Sequence, residues 1–339
     1  MIKEAIARVI EKSDLSQKEA ALTMEEIMSG NATDAQIASF ITALRMKGET
    51  VDEITGFTGI MRQKATHLNA NGPVIDTCGT GGDGAHTFNI STVSAFIAAG
   101  AGAKVAKHGN RSVSSKCGSA DCLQALGIDI MAPVDVVEKC LNEIGIGFLF
   151  APLLHASMKY AIGPRREIGI RTVFNILGPM TNPAGAKAQL IGVYAKELTD
   201  IMAWVLKNLG STHVMVVHGM DGLDEISNTG PTQVSELKNG EITTYQIKPK
   251  DFGISIAKPE SLKGGEAGEN ARLCEAILGG EKGPKMDICL MNAGAAIYVS
   301  DLAEDLAQGI EKARESIDSG AAMARLEAMR QYLPLKKDS

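Results

Sequence analysis

Residues 76–84 read Asp76-Thr77-Cys78-Gly79-Thr80-Gly81-Gly82-Asp83-Gly84 and follow an apolar step at Val74-Ile75. Four glycines in six positions allow a tight turn and bring backbone N–H groups close to a ligand. A strand that ends in such a turn and then enters a helix opens a βα unit, so this stretch sets the fold class. About one unit later comes Lys107-His108-Gly109-Asn110-Arg111-Ser112-Val113-Ser114-Ser115, again after a short apolar run. Its cations and hydroxyls are the groups that grip phosphate. Two such loops after successive strands point to a phosphorylated small molecule as ligand.

Outward from these loops, short apolar strands alternate with helical segments. The candidate strands are Val74-Ile75, Lys104–Lys107, Ile146–Phe150, Gln189–Tyr194 and His213–His218. Between them lie candidate helices such as Ser91–Ala101, Val134–Ile144 and Leu198–Leu209. This alternation predicts a mostly parallel sheet covered by helices. Thr232–Leu237 and Glu241–Ile247, split by Lys238-Asn239-Gly240, read as an edge hairpin. The chain then returns to helix over about 268–279, 286–299, 302–318 and 321–332. Before residue 70 the pattern is helical throughout, with capping boxes at Ser16/Glu19, Thr33/Gln36 and Thr50/Glu53. The expected architecture is α/β: a small α-helical domain over 1–70, and over 73–335 a larger domain with a mostly parallel central sheet flanked by helices.

Composition supports this and removes other classes. A chain of 339 residues exceeds one typical core and suggests two domains. A net charge of −6 argues against general nucleic-acid binding, so positive potential must be local. No apolar run reaches the length of a membrane span, and Met1-Ile2-Lys3-Glu4 opens a charged amphipathic pattern rather than a signal peptide. The six cysteines (78, 117, 122, 140, 274, 289) contain no C-x-x-C pair. Free thiols in a reducing cytoplasm are therefore expected.

The glycine loop has look-alikes. Gly79-x-Gly81-x-x-Gly84 satisfies the dinucleotide pattern, which is a weak signal alone. That reading wants an acidic residue about twenty positions on, yet no acid lies between Asp83 and Asp121. A Walker A loop fails as well, because no Gly-Lys-Ser/Thr follows. A ligand-free βα turn is the bland alternative. Against it stand the polar groups of Asp83 and Thr87 and the run Asn89-Ile90-Ser91-Thr92 at a helix start. Such a start presents free N–H groups and a positive dipole end to an anion.

The basic run reads equally as a solvated loop. Its place at a strand end favours function, because open α/β sheets bind ligands at the carboxyl ends of their strands. Asp224-Glu225 follows another strand, on a loop with Gly219 and Gly222. Adjacent carboxylates there suit Mg²⁺ bridged to phosphates, with an exposed acidic turn as the plainer alternative. Finally, Pro164-Arg165-Arg166-Glu167-Ile168-Gly169-Ile170-Arg171 precedes Asn175-Ile176-Leu177-Gly178-Pro179. Its arginines form either a solvated helix face or a planar fork for a carboxylate.

Together, Asp76–Gly84, Asn89–Thr92, Lys107–Ser115 with Gly118-Ser119-Ala120-Asp121, Arg165–Pro179 and Asp224-Glu225 resemble the anthranilate phosphoribosyltransferase family over nearly the whole chain. The resemblance implies transfer of the phosphoribosyl group of 5-phosphoribosyl 1-diphosphate to the amine of anthranilate in tryptophan biosynthesis. It implies a cleft between the two domains, helices from about 160–185 packing with the N-terminal domain, two Mg²⁺ per subunit and a homodimer. Gly79, Gly82, Asp83, Thr87, Asn89, Ser91, Thr92, Lys107, Ser115 and Ser119 would hold the sugar diphosphate. Gly79, His108, Asn110 and Arg165 would hold anthranilate, and Ser91, Asp224 and Glu225 the metal. No residue announces itself as an essential base, so catalysis is expected to be electrostatic and positional. A pyrimidine nucleoside phosphorylase of the same fold and a non-catalytic nucleic-acid-binding paralogue remain as rival readings. Thymidine phosphorolysis and a single-stranded DNA mobility shift would reveal them.

Overall fold

The computed structural model describes residues 1–112 and 116–335. Four helices open the chain: α1 (Ile2–Ile10), α2 (Gln17–Met28), α3 (Asp34–Lys47) and α4 (Val51–Lys64). All three capping boxes form. The N–H groups of Glu19, Gln36 and Glu53 donate to the hydroxyls of Ser16, Thr33 and Thr50, each at 3.3 Å. Glu53 goes further than a cap. Fully buried, it also accepts from the Leu15 N–H at 3.0 Å and from Lys47 Nζ at 3.0 Å. A buried carboxylate needs such partners, because its desolvation is costly.

Seven strands form one sheet: β1 (Ile75–Asp76), β2 (Val105–Gly109), β3 (Ile146–Phe150), β4 (Ala188–Gly192), β5 (His213–Gly219), β6 (Thr232–Lys238) and β7 (Glu241–Ile247). Their order is β3-β2-β1-β4-β5-β6-β7. β1 to β5 run parallel, and β6 and β7 turn back as the antiparallel edge hairpin. The chain moves outward from β1 to β3, then returns to place β4 on the other side of β1. That reversal makes the β1/β4 boundary a topological switch point, where open sheets leave a crevice beyond the strand ends.

Side-chain alternation divides the core. On β5, Met215 and Val217 join one apolar cluster, while Val214 and Val216 join another. Successive strand residues point to opposite faces, so β5 is buried on both. The first cluster includes α5 (Ile90–Gly100) and the helices Pro284–Val299 and Ala321–Tyr332. The second unites Ile191 and Val193 with the helix Leu198–Asn208 and with the apolar faces of α1 to α4. Ala161, Val173, Phe174 and Leu177 lie in it too. The N-terminal helices thus share a core with one face of the sheet. Arg62 of α4 stitches them further, donating to the Met180 carbonyl at 2.7 Å.

Several expected boundaries move by one or two residues, and one moves by four. The helix anticipated from Leu302 begins at Leu306. Asp301 takes φ 61°, and Asp305 accepts the Gln308 N–H at 2.8 Å as the cap. No helix among the described residues is long and apolar enough to cross a membrane.

Candidate active site

The glycine loop leaves β1 and lies across the ends of β4 and β5. The Thr80 N–H donates to the Gly192 carbonyl at 2.8 Å, and the Tyr194 N–H to Thr80 Oγ1 at 3.2 Å. Gly81 and Gly82 both take positive φ, 66° and 76°, which a side chain would strain. The Gly81 N–H donates to Asp224 Oδ2 at 2.6 Å. The Asp224 backbone in turn sits directly on β4: a Cβ at Gly192 would overlap its carbonyl oxygen. Glycine at that strand end is what lets the acidic loop approach.

This folding brings Asp83, Asp224 and Glu225 together. Burial first, and then the charges of Asp83 and Glu225, push the Asp224 carboxyl well above its ordinary range. Burial pushes Glu225 up to about 8 against the pull of Lys107, with Asp83 adding to the rise. The Ser91 N–H, in the first turn of α5, faces Glu225 and favours its charge. Two buried carboxyls raised beside the charge of Asp83, with one lysine nearby, are electrostatically unfavourable by themselves. An oxygen-only donor set of this kind fits a hard divalent cation.

Lys107 reaches along β2 under the loop. Its Nζ donates to Ser91 Oγ at 3.2 Å and to the Thr77 carbonyl and hydroxyl at 3.3 Å each. Below it, Asp76 accepts the His108 N–H at 3.0 Å and the Asn182 amide at 2.7 Å. Burial raises Asp76 to about 6, while Asn182 and Lys107 favour its charge. At the start of α5, the Asn89 side chain makes no cap. Instead it accepts from the Asn270 amide at 2.9 Å and donates to the Cys117 carbonyl at 3.2 Å. The amide expected at the ligand thus ties the start of α5 to the Cys117 loop and to the helix Ala267–Leu278.

The basic loop is held by its own helix, α6 (Ser119–Ala125). Asp121 accepts from Arg111 at 2.6 Å, the Ser112 N–H at 3.2 Å and the Gly118 N–H at 2.9 Å. Arg111 is thereby spent on Asp121 and Gln124. Ser119 Oγ donates to the Asn110 carbonyl at 3.3 Å, and the Asn110 amide is exposed.

A third group lies beside β2. His108 is buried, its ring 5.1 Å from that of His155, which is buried as well. No well-formed hydrogen bond reaches Nε2 of His155 or either nitrogen of His108, which has only a weak contact to the Gly178 backbone. Burial, with His155 adding, lowers His108 to about 3; burial, with His67 adding, lowers His155 to about 4. Arg165 is half-buried over the Phe174 ring at 5.2 Å, and burial lowers its pKa. It forms no ion pair among the described residues. A guanidinium held against an aromatic face and lacking an anion is suited to an incoming carboxylate.

Of the residues singled out from sequence, Gly79, Gly82, Asp83, Ser91, Lys107, Asp224 and Glu225 come together at the switch point. Thr87 lies farther along, in a bridge to Lys263. The Thr92 hydroxyl is fully buried without a partner, by a small void lined with Phe96, Leu123 and Met329. Ser115 lies outside the described residues. Two contributors escaped the sequence reading. His155 sits in no motif, and only its tertiary neighbour gives it meaning. Arg171 was visible among three arginines, but nothing local shows that it donates to the Gly82 carbonyl and stacks 4.4 Å from the Tyr194 ring.

Comparison with known proteins agrees with this geometry. Residues 3–65 match the helical bundle domain of a glycosyl transferase family, and residues 71–323 match its α/β domain. The anthranilate phosphoribosyltransferase of Moorella thermoacetica is 56% identical over 330 residues, covering 97% of each chain. The crystal structure of the Thermus thermophilus enzyme of that name superposes with TM-score 0.92 at 41% identity, covering 97% of this chain and 99% of that one. The Saccharomyces cerevisiae enzyme, in complex with PRPP and Mg, superposes with TM-score 0.89 at 30% identity over 98% and 97%.

Proposed function

This chain belongs to the anthranilate phosphoribosyltransferase family, and from that premise we propose how its residues divide the work. The protein transfers the phosphoribosyl group of 5-phosphoribosyl 1-diphosphate to the amine of anthranilate, releasing diphosphate. It is a pentosyltransferase of tryptophan biosynthesis and uses Mg²⁺. The convergence of Asp83, Asp224 and Glu225 with the glycine loop and the start of α5 carries the assignment of the diphosphate half.

In that half, N–H groups around Gly79, Gly82 and Asp83 hold the sugar diphosphate, with Asn89, Ser91, Thr92 and Lys107 around them. Thr87, Ser115 and Ser119 help to fix the phosphoribosyl end. Mg²⁺, held by Ser91, Asp224 and Glu225 when bound, neutralises diphosphate charge and so improves the leaving group. Two ions per subunit are proposed by analogy with the family, one near Ser91 and one at Asp224-Glu225. Lys107 and the α5 dipole supply positive potential from the protein itself.

In the other half, Arg165 pairs with the anthranilate carboxylate, Asn110 offers an amide, and His108 lines the path beside Gly79. As the C1–O bond lengthens, the ribose gains oxocarbenium character and the aryl amine attacks with its own lone pair. Neutral, weakly basic His108 and His155 give that approach a dry wall rather than a general base. The proton leaves after the C–N bond has formed. A homodimer working in the cytoplasm completes the proposal; six free thiols suit a reducing compartment.

Anthranilate fluorescence gives the direct test. Consumption should require both the sugar diphosphate and Mg²⁺. No consumption with both present, or release of thymine from thymidine and phosphate instead, would overturn the reading.

A further inference from the structure

One group of donors is not used as a set by the reaction as derived, although the His108 ring lines the anthranilate path. Ligand atoms of Asp76, Cys78 and His108 all lie within 4.8 Å of one another. They come from the end of β1, the first turn of the glycine loop and β2, so the switch point itself assembles them. His108 is only 3% exposed, and apart from a weak contact to the Gly178 backbone its ring nitrogens have no well-formed hydrogen bond. A buried imidazole in that state normally has an explanation in a bound group. Cys78 is half-buried, and its thiol has only a weak contact to the Gly79 carbonyl at 3.6 Å. His155 brings a further unpartnered Nε2 on the ring packed against His108.

We propose that Asp76, Cys78 and His108 form a binding site for a borderline-soft divalent cation of the Zn²⁺ type, separate from the hard-cation site at Asp83, Asp224 and Glu225. The donor set is one thiolate, one imidazole and one carboxylate, which leaves a fourth position open. That is the set Zn²⁺ and Co²⁺ select, whereas Mg²⁺ takes oxygen alone. The surroundings fit as well. Asp76 is oriented by the His108 N–H and the Asn182 amide, which are hydrogen bonds of the kind that steer ligating carboxylates. Those bonds leave lone-pair capacity on the carboxylate for a metal. His108 is held neutral by burial, the form that ligates. On binding, the Cys78 S–H bond breaks, an S–metal bond forms, and the proton goes to solvent.

The site lies between the glycine loop and the histidine wall, so occupancy would obstruct anthranilate rather than the diphosphate. Zn²⁺ should therefore inhibit competitively against anthranilate, a regulation that goes beyond the proposed transfer reaction.

Co²⁺ is the spectroscopic probe, added to the full-length protein in saturating Mg²⁺. The expected result is one equivalent bound with a near-ultraviolet thiolate-to-cobalt band, displaced by Zn²⁺. Cys78→Ser should abolish the band and weaken Zn²⁺ inhibition by about a hundredfold, while activity in Mg²⁺ is retained. His108→Gln, read by absorbance alone, should also weaken binding and keeps the test open if the serine variant misfolds. Absence of the band, a band unchanged in Cys78→Ser, or loss of Co²⁺ to Mg²⁺ would each overturn the proposal. Loss to Mg²⁺ would place the ion at the carboxylates. Because binding is read by absorbance, its failure is distinguishable from failure of the transferase reading.

Discussion

The glycine loop and the basic loop leave neighbouring strands at the same sheet edge, but they are restrained in opposite ways. The basic loop is held locally: Asp121, within the helix that follows, gathers Arg111, Ser112 and Gly118. Despite partial burial, those donors keep its carboxyl below the ordinary range. The glycine loop has little of its own to hold it. Asp224, Gly192, Tyr194 and Arg171 all reach it from other strands and loops. One loop carries its shape in its sequence. The other acquires its shape only when β4, β5 and the segment after Ile168 are in place.

The difference can be broken most severely at the carboxylates. Asp224→Asn with Glu225→Gln should lower kcat/KM for the sugar diphosphate by about a thousandfold, through loss of several kcal/mol of metal-assisted charge stabilisation. Circular dichroism should be unchanged. An unaltered Mg²⁺ titration would sink the metal assignment. The same pair predicts a pH effect in the metal-free protein. Glu225 is raised from 4.5 to about 8, so folding is favoured below about pH 4.5 and that contribution is lost as pH rises to about 8. Thermal melts should show metal-free Tm falling across this window and Mg²⁺ restoring it. The double variant should flatten the slope.

Arg165 lies in neither loop, and its loss separates substrate recognition from loop restraint. Arg165→Ala should raise the anthranilate KM by about tenfold to a hundredfold, the loss of a charge-assisted contact. If only the sugar-diphosphate KM moved, Arg165 would belong to the other half.

Arg171→Ala tests the distant restraint itself. Freeing the Gly82 carbonyl should raise the sugar-diphosphate KM by about fivefold to tenfold, roughly the value of one partly exposed charged hydrogen bond. The anthranilate KM should stay put, and a change confined to it would contradict the assigned tether. The smallest effect is a control in the helical domain. Thr50→Ala removes the α4 cap and should cost about 1 kcal/mol in urea unfolding. Both KM values should hold; a shift in either would show that the cap reaches the site.

Local patterns were legible because their causes are local. The boxes at Ser16, Thr33 and Thr50 require side chains three residues apart, and each formed as read. Strands β3 and β7 and the helices Val134–Ile144 and Ala321–Tyr332 match their expected bounds, since hydrophobic period and flanking turns define them. The helix anticipated from Leu302 started four residues later, where Asp305 supplies a cap that a period alone does not place. His155 and Arg171 were not readable as site residues because their partners, His108 and Gly82, lie 47 and 89 positions away.

The sequence by itself determined the α/β class, the helical N-terminal segment and the identity of the phosphate-seeking loops. These follow from periodicity, glycine placement and residue chemistry along one continuous stretch. Only the tertiary structure decided that Asp224 sits on Gly192, that three carboxylates come together, and that Arg165 has no anion beside it among the described residues. Those are facts about separation in space. The strand order β2-β1-β4-β5 sets them by bringing chain ends more than a hundred residues apart to one crevice.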